Sequence, residues 1–326
     1  MRTLKVAIER WPIAGAFTIA RGSKTEAVVV TVEIADDDRV GRGEATPYPR
    51  YGETPESVIA EIEAVRGVIE AGGARAGLLT VMRPGAARNA VDCALWDLKA
   101  KREGRRVHEI LGLARLDPLK TAYTLSLAAP EVMAEQARAN ARRPLLKLKI
   151  GGPGDLDRVE AVRQAAPKCR LIVDANEGLT LAELKRLAPE FARLGVKLIE
   201  QPLKAGEDQA LEGYACPVPL CADESLHTRA ELTACARLYQ VANIKLDKAG
   251  GLTEALALKA EAVAAGMQIM VGCMVATSLA MAPALILAQG AEFVDLDGPL
   301  LLARDRAPGL TYVGSMIEPP PATLWG

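Results

Sequence analysis

Histidine is almost absent from this chain, and aromatic side chains are few. The 326 residues include two histidines, and phenylalanine, tryptophan and tyrosine together make up 4%. Because zinc sites in proteins usually need clustered histidine or cysteine ligands, a histidine-based zinc centre is excluded. A Ser-His-Asp triad is not available either, since His227 beside Ser225 has the setting of a loop histidine.

Cysteine pairs at metal-binding or disulfide spacing are also missing. The six cysteines contain no CxxC pair, and a chain of this length does not need disulfide bonds to be stable. The stretch MRTLKVAIERW carries charges throughout and lacks the apolar run of a signal peptide. We therefore expect reduced cysteines and a cytoplasmic protein.

No charge of one sign dominates. Lysine plus arginine (40) nearly balance aspartate plus glutamate (41), which argues against a nucleic-acid or membrane-surface binder. The segment nearest to a membrane span, residues 267–289, contains Gly272 and Pro283 and has no flanking basic bias. A buried strand followed by a buried helix fits it better. The expected partner is a small molecule, and the oligomeric state is left open, with a homo-oligomer compatible.

Eight short apolar runs recur from residue 119 onward, with segments of helical periodicity between them. Strands alternating with helices at a repeat of roughly two dozen residues predict an α/β fold of the (β/α)8 type, which needs ~200 residues. In chain order the runs are LKTAYTLSL, PLLKLKIGG, CRLIVDAN, VKLIEQP, PLCADES, VANIKLDKAGG, MQIMVGC and AEFVDLDG.

The residues before the barrel have a different pattern. LKVAIERWPI and EAVVVTVEIADDDRVGRGEA predict antiparallel strands joined by a turn in ADDDRVGRG, and two helices follow, the first capped by Thr54 with Pro55 after it. We predict an α+β capping domain over residues 1–115 and the barrel over 116–308. Residues 309–326 contain a proline run that cannot join a sheet, so they should pack back on the cap.

Ionisable side chains stand at the C-terminal ends of six runs, where barrel enzymes build their active sites. Any one of them alone is explained as well by a solvated strand end or a structural ion pair. Their convergence on one mouth predicts a catalytic site. In strand order they are Lys147 and Lys149, Asp174, Glu200, Asp223, Lys245 and Asp247, and Asp295 and Asp297.

Three of the acids predict a metal site. Asp174, Glu200 and Asp223 end consecutive strands, 26 and then 23 residues apart, so their carboxylates should meet. Mutually repelling carboxylates need a cation, and hard oxygen ligands without histidine favour Mg²⁺. Lys149 and Lys245 lie one strand before and one strand after these acids, so they should flank the metal from opposite sides.

This arrangement suits proton transfer at a carbon next to a carboxylate. Removing that proton forms an enediolate, whose negative charge a divalent ion can offset. A lysine of ordinary pKa, ~10.4, is protonated at neutral pH, so the base needs neighbours that favour its neutral form. For Lys149 we predict that its same-face neighbour Lys147 and the metal provide this effect.

The motifs resemble those of the muconate-lactonising-enzyme subgroup of the enolase superfamily. KLK, VDAN, EQP, ADES and NIKLDKAGG carry the resemblance, which extends from TIARGSKTEA and GEATPYPRYGE through AARNAVDCALWDL to DLDGP. It implies a capping domain in front of a modified TIM barrel. It also implies that Asp174, Glu200 and Asp223 bind one Mg²⁺ per subunit and that Lys149 and Lys245 are the acid/base pair.

Within that subgroup, DLDG on the eighth strand resembles the dipeptide epimerases, especially those acting on L-Ala-D/L-Glu in peptidoglycan recycling. The resemblance implies that Asp295 and Asp297 bind the α-ammonium of the dipeptide, and two same-face carboxylates are a reasonable cation receptor. It further implies that the KLK lysine, Lys149, handles the L-configured carbon and Lys245 the D-configured one.

The segment FTIARGSKTE lies where the family's mobile lid covers the barrel mouth. Arg21 is a candidate partner for a substrate side-chain carboxylate, because a guanidinium matches carboxylate geometry, with an ordinary surface-loop arginine as the alternative. Thr124 and Met274, at the ends of strands one and seven, are candidate lining groups for the dipeptide.

Two other functions stay open at this point. The same residues could racemise an N-acyl amino acid or dehydrate a precursor to o-succinylbenzoate, but such substrates have no ammonium group for Asp295 and Asp297 to bind. A barrel that binds dipeptides without catalysis is a third hypothesis, although both lysines and all three acids are present.

Overall fold

The computed structural model describes residues 2–326, in which a small antiparallel sheet precedes an eight-stranded parallel sheet. The first sheet has the order β1-β2-β3, with each strand paired to the next along the chain. Its strands are β1 Thr3–Ile19, β2 Gly22–Asp36 and β3 Arg39–Ala45.

The segment predicted to be a turn, ADDDRVGRG, is mostly strand. The turn comprises only residues 37–38, and Gly41 and Gly43 belong to β3. A Cβ atom on these glycines would lie 2.1 and 2.0 Å from carbonyl oxygens of helix α4 (Ala86–Glu103). The glycines therefore allow a helix to pack closely on the sheet, a role that a local turn signal does not reveal.

Five helices follow this sheet, and the first, second and fourth of them pack against it. Thr54 caps the first of them as predicted, in a capping box with Ser57. The predicted continuous helix breaks at Val65, where one helix ends and the next begins. The helices are α1 Pro55–Ala64, α2 Arg66–Glu70, α3 Arg75–Val81, α4 Ala86–Glu103 and α5 Val107–Ile110.

The eight predicted barrel strands all form, and they pair in sequence order. The backbone N–H of Ala122 donates to the carbonyl of Val294 at 2.8 Å, which joins the first strand to the last. The capped barrel predicted from the sequence is thus confirmed. The strands are β5 Tyr123–Leu125, β6 Leu145–Lys149, β7 Arg170–Asp174, β8 Val196–Glu200, β9 Leu220–Ala222, β10 Val241–Ile244, β11 Gln268–Gly272 and β12 Phe293–Asp295.

Helices follow most of the strands and surround the barrel. Between β8 and β9 the connection contains only a 3₁₀ turn, Asp208–Leu211. Residues 267–289 form a strand and a helix, as predicted, and no helix of residues 2–326 is long and apolar enough to cross a membrane. The helices are α6 Pro130–Ala139, α7 Asp155–Ala165, α8 Leu181–Arg193, α9 Arg229–Leu238, α10 Leu246–Ala249, α11 Leu252–Ala264, α12 Ser278–Leu287 and α13 Gly298–Leu301.

An apolar layer closes the N-terminal end of the barrel. Every strand contributes one inward side chain, from its first three residues or from the residue just before it, and all eight are buried against one another. Because strand side chains alternate, the residues between them face the surrounding helices. The layer consists of Ala122, Leu145, Ile172, Leu198, Cys221, Val241, Met270 and Phe293.

The last residues of the chain lie against the first domain. Strand β13 (Tyr312–Val313) pairs with β14 (Met316–Ile317), which in turn pairs with β4 (Leu119–Lys120), and the proline run follows them outside the sheet. Trp325 is fully buried, and its indole N–H donates to the Cys93 carbonyl of α4 at 3.1 Å. The domain boundaries at residues 115 and 308 stay a prediction.

Asp247 holds the cap to the barrel, in contrast to its predicted place at a strand end. It lies in α10 and is buried, with Oδ1 accepting from the Thr46 backbone N–H at 2.9 Å and the Asn89 side-chain amide at 3.0 Å. Burial raises the pKa of its carboxyl group to about 7. With two neutral donors and no paired cation, this acid is costly to ionise.

Asp247→Asn should flatten the pH dependence of stability. Between pH ~4 and ~7 the unfolded carboxyl has lost its proton while the folded one retains it, so the wild type loses stability as pH rises. The variant lacks this titration, so its slope should be less negative by up to ~1.4 kcal/mol per pH unit, the value for one proton. Urea unfolding at several pH values measures this.

Asp157→Asn is the matched control, because Asp157 is an exposed residue of α7. It should leave the slope unchanged. Equal slopes for the wild type and Asp247→Asn would contradict the raised pKa of Asp247.

Candidate active site

A polar layer lies directly above the apolar layer of the barrel. Two residues further along each strand, the inward position is polar in seven cases and glycine in one. The glycine, Gly272, is required because a Cβ atom there would lie 2.7 Å from Asn243 Oδ1 and 3.0 Å from Lys245 Cε. In strand order the layer consists of Thr124, Lys147, Asp174, Glu200, Asp223, Asn243, Gly272 and Asp295.

Lys147 lies at the centre of this layer and is almost fully buried. Its Nζ atom is 3.1 Å from Asp174 Oδ2, 2.7 Å from Glu200 Oε2 and 2.7 Å from Asp295 Oδ2. Burial alone would lower the pKa of Lys147, but the three carboxylates raise it well above the ordinary lysine value. Lys147 is therefore a permanent positive charge at the centre of the acids.

Lys149 and Lys245 lie on opposite walls of the barrel mouth. Strands β6 and β10 are four positions apart in a barrel of eight. Lys149 Nζ is 2.6 Å from Asp174 Oδ2, and Lys245 Nζ is 2.6 Å from Asp223 Oδ2. Both ammonium groups thus face the acid cluster, one from each side.

Lys248 is a fourth lysine at the cluster, which the sequence analysis missed. Its side chain is fully buried, and Nζ lies 2.6 Å from Asp223 Oδ1 and 3.0 Å from the Asn243 carbonyl. It belongs to α10, the turn of helix that begins after Lys245. The i, i+3 spacing of the two lysines was the available signal, because one helical turn brings such residues to the same side.

The lysines keep two of the acids ionised. Burial opposes ionisation of Asp174, but Lys149 and Lys147 outweigh it and hold its pKa below the ordinary aspartate value. Burial also opposes ionisation of Asp223, but Lys245 and Lys248 outweigh it and hold the pKa of Asp223 well below the ordinary aspartate value.

Glu200 is the least compensated acid. Burial, and then the charge of Asp174, raise its pKa to about 8. Its Oε2 atom is close to Lys147 but accepts no hydrogen bond of normal geometry. Three buried carboxylates in this state are suited to a hard divalent cation. In residues 2–326 no three acid, histidine or cysteine side chains are arranged as a ready cage, since lysines pair with the acids.

A second carboxylate pair lies beside the cluster at the end of β12. Asp297 Oδ2 accepts from the backbone N–H of Thr124 at 2.6 Å, and burial followed by the charge of Asp295 raises the Asp297 pKa to about 7. Asp295 Oδ2 accepts a hydrogen bond from Lys147, whereas its buried Oδ1 has no hydrogen-bond partner in the described chain. Asp295 lines the cavity, so its unpartnered oxygen is available as an acceptor for a cationic ligand.

The predicted lid loop is a β-hairpin that lies over the mouth. Strands β1 and β2 continue to Ile19 and Gly22, so only Ala20 and Arg21 form the turn. Arg21 donates to Glu177 Oε2 at 3.0 Å and to Glu224 Oε1 at 2.8 Å. In this structure its partners are therefore carboxylates of the protein.

The hairpin also contributes Lys24, which the sequence analysis missed. It is half-buried, its pKa is lowered by burial and then by Lys149, and no acid pairs with it among residues 2–326. Its ammonium group lies 5.7 Å from the ring centre of Phe17. The available signal is the alternation of Lys24, Glu26 and Val28, which all line the cavity, whereas the sequence analysis predicts a lid loop over Lys24.

The cavity between cap and barrel has a volume of about 710 Å³. Both catalytic candidates, Lys149 and Lys245, line it, as do Thr124 and Met274. Tyr51 of the cap contacts the ring of His227, with ring centres 4.4 Å apart, at the edge of this space. The cavity volume suits a ligand the size of a small peptide.

Two family models match the chain. The N-terminal domain of the mandelate racemase/muconate lactonizing enzyme family matches residues 1–112, and the enolase C-terminal domain-like family matches residues 132–314. Among curated proteins, the chain is 47% identical to L-Ala-D/L-Glu epimerase of Escherichia coli (strain K12), covering 96% of this chain and 98% of that protein. It is 43% identical to N-acetyl-D-glutamate racemase of Pseudoalteromonas sp, with coverage of 91% and 95%.

Solved structures give the same result. An enolase family member from Agrobacterium tumefaciens with homology to dipeptide epimerases, bound to sodium and L-Ala-L-Glu, is 54% identical, with a TM-score of 0.98 and full coverage of both chains. A dipeptide epimerase from Methylococcus capsulatus in complex with Mg and L-Arg-D-Lys is 31% identical, with a TM-score of 0.90 and coverage of 97% and 96%. The chain therefore belongs to the mandelate racemase/muconate lactonizing enzyme family of the enolase superfamily.

Proposed function

We propose that this protein is an isomerase, a Mg²⁺-dependent epimerase of dipeptides that acts on L-Ala-D/L-Glu. The observation that carries the proposal is the pair of lysines on opposite walls of the mouth, with the acids between them. A carbon held between Lys149 and Lys245 can lose a proton to one and receive a proton from the other. Its configuration is then inverted.

Asp174, Glu200 and Asp223 would hold the metal ion. When bound, a divalent cation supplies positive charge that offsets the negative charge developing on the substrate carboxylate during deprotonation. The raised pKa of Glu200, caused by burial and by Asp174, supports this assignment, since a nearby cation would stabilise its ionised form.

The lysines differ in the face of the substrate that they serve. Following the family resemblance, Lys149 removes the proton from the L-configured carbon and Lys245 from the D-configured one. Lys147 stays charged between three carboxylates and would act on Lys149 through the Asp174 oxygen that both ammonium groups contact. Water exclusion by the hairpin would strengthen each of these charge interactions.

Asp295 and Asp297 would recognise the free ammonium group of a dipeptide. The unpartnered Oδ1 of Asp295 supports this, because a buried carboxylate oxygen without a donor is costly until a ligand provides one. Thr124 orients Asp297 through its backbone N–H, and Met274 contributes apolar surface to the same cavity.

Lys24 would recognise an acidic side chain on the C-terminal residue of the dipeptide. The half-buried ammonium group of Lys24 has no acid partner in residues 2–326. Burial lowers the pKa of Lys24, and the nearby charge of Lys149 lowers it further. A substrate carboxylate would provide the missing opposite charge. This residue replaces Arg21 as the candidate for Glu recognition, because Arg21 already pairs with Glu177 and Glu224.

Racemisation of an N-acyl amino acid is the second candidate function. Burial and the charge of Asp295 raise the pKa of Asp297 to about 7, so a neutral carboxyl group is accessible that could face an uncharged acyl group. The similarity to N-acetyl-D-glutamate racemase supports the same alternative. Action in peptidoglycan recycling, a cytoplasmic location, one metal ion per subunit and a homo-oligomer stay predictions.

Deuterium incorporation at Cα tests the reaction. In D₂O with Mg²⁺, the wild type should label both L-Ala-L-Glu and L-Ala-D-Glu and interconvert them. Lys149→Met should keep labelling of the D-Glu diastereomer but lose epimerisation by ~10²–10⁴-fold, the usual contribution of a general base. Lys245→Met should keep labelling of the L-Glu diastereomer only. NMR and mass spectrometry measure both products.

Lys197→Met is the control, because Lys197 is exposed on β8. It should behave as the wild type. Labelling of neither diastereomer by the wild type, across a panel of dipeptides, would refute the proposed reaction.

Asp295→Asn should separate the two candidate functions. A charge-assisted hydrogen bond contributes ~1.5–3 kcal/mol, so kcat/KM for L-Ala-L-Glu should fall ~10–150-fold. Turnover of N-acetylglutamate, which has no ammonium group, should fall much less. Asp157→Asn on the barrel exterior should change neither value. If Asp295→Asn left the ratio of the two activities, with L-Ala-L-Glu and with N-acetylglutamate, unchanged, that result would argue for the N-acyl reaction.

Lys24→Met should alter side-chain preference. Loss of the ammonium group should lower kcat/KM for L-Ala-L-Glu by ~10–100-fold, the worth of one charge-assisted contact, and should spare L-Ala-L-Leu. Lys5→Met, on the exposed side of β1, is the control. Equal losses for both dipeptides would mean that Lys24 acts through Lys149 and does not contact the substrate side chain.

A further inference from the structure

The carboxylate of Glu177 binds arginines from two separate segments of the cap. It lies in the loop after β7, and its side chain is 5% exposed. Arg50 contacts it in a bidentate manner, with Nε 2.8 Å from Oε2 and Nη2 2.7 Å from Oε1. Arg21 Nη1 donates to the same Oε2 at 3.0 Å, and the backbone N–H of Ala205 donates to Oε1 at 2.9 Å.

The two arginines belong to the two cap segments that form the roof of the cavity. Arg21 is at the tip of the hairpin that carries Lys24, and Arg50 lies in a 3₁₀ turn next to Tyr51. Arg21 also donates to the hydroxyl of Tyr48 at 2.9 Å, so the segments contact each other directly. Glu177 therefore joins both parts of the roof to the barrel.

Two glycines in loops of the barrel form the surface on which the hairpin tip packs. Gly151 and Gly178, in the loops after β6 and β7, lie against Ala20. A Cβ atom on Gly151 would be 2.6 Å from the Cβ of Ala20, and one on Gly178 would be 3.3 Å away. Larger residues here would push the tip off the mouth, since closely packed backbones tolerate no added methyl group.

The loop that presents Glu177 is strained and connected to an acid of the cluster. Asn176 and Glu177 have φ angles of +44° and +69°, a region that residues with a side chain rarely occupy. The Asn176 N–H donates to Asp174 Oδ1 at 2.9 Å, while the Asn176 carbonyl accepts from Arg21 at 2.7 Å. A continuous path of hydrogen bonds thus links the hairpin tip to Asp174.

We propose that Glu177 is a positioning residue that clamps the hairpin and the Arg50 turn onto the barrel as one unit. Its carboxylate holds two cations that are 29 residues apart in the chain, so losing either contact should loosen both segments. Closure then places Lys24 and Tyr51 over the cavity. The expected effect on substrate affinity rests on the function proposed above, but the expected effect on cap mobility does not.

Trypsin provides a direct readout of clamp opening, because it cleaves after Arg21 itself. Cleavage of the Arg21–Gly22 bond, quantified by mass spectrometry, is divided by cleavage after Arg115, whose side chain is 84% exposed. Glu177→Gln should raise this ratio ~10-fold or more, the loss expected for one charge-assisted interaction. Arg50→Gln should raise it as well, although Arg50 does not contact the hairpin tip.

Two controls keep this test specific. Glu292→Gln removes an exposed ion pair with Arg170 at the opposite end of the barrel and should leave the ratio unchanged. The exposed Arg115 site corrects for differences in protease activity, and far-UV circular dichroism of each variant monitors global unfolding. Arg50, which is exposed, offers a second variant if Glu177→Gln destabilises the fold. An unchanged ratio in both Glu177→Gln and Arg50→Gln would overturn the clamp.

Kinetics then test the positioning role. With L-Ala-L-Glu, Glu177→Gln should raise KM ~10-fold or more, as expected for loss of one charge-assisted contact, with a smaller change in kcat, since Glu177 contacts no reacting atom. Double substitution with Arg50→Gln should add little to the single variant, because both remove the same contact. A fall in kcat at constant KM would assign Glu177 to the chemical step instead and overturn the positioning role.

Discussion

The central constraint in this protein is the burial of many charges at one end of a barrel. Three carboxylates are almost inaccessible to water, and an ionised group in such a place is stable only when opposite charge lies close by. Lys147 supplies this charge from the centre, and Lys149 and Lys245 supply it from opposite walls. Compensation is incomplete at Glu200 and at Asp295, because each has one buried carboxylate oxygen without a hydrogen-bond partner, and we therefore propose that a metal ion and a cationic ligand bind there.

Strand alternation makes this arrangement possible without weakening the fold. The inward residues at the beginning of each strand are apolar and pack as a closed layer, while those two positions later are polar. The apolar layer keeps water from the base of the charged cluster, so its interactions act in a medium of low polarity. Gly272 leaves room at one position of the polar layer for the Lys245 side chain.

The cap completes the site and is held by contacts made between elements distant in sequence. Asp247 binds the cap backbone at Thr46, and Glu177 pairs with Arg21 and Arg50 across the mouth. These acids are not available to the substrate. The charged residues at the mouth therefore form two groups. Those paired with cap residues hold the cap on the barrel, and the others face the cavity.

The capped barrel and the layer of acids and lysines can be predicted from the sequence, because alternation at period two and the strand–helix repeat are local properties. In the structure, Lys149 and Asp174 lie at the C-terminal ends of neighbouring strands, where the sequence pattern predicts them. The pairing of these charges, in contrast, depends on how the hairpin lies on the barrel. In residues 2–326 this position gives Arg21 two acid partners and leaves Lys24 without one. Such pairing depends on distances between segments that are more than a hundred residues apart, as for Arg21 and Glu177, and no local pattern records those distances.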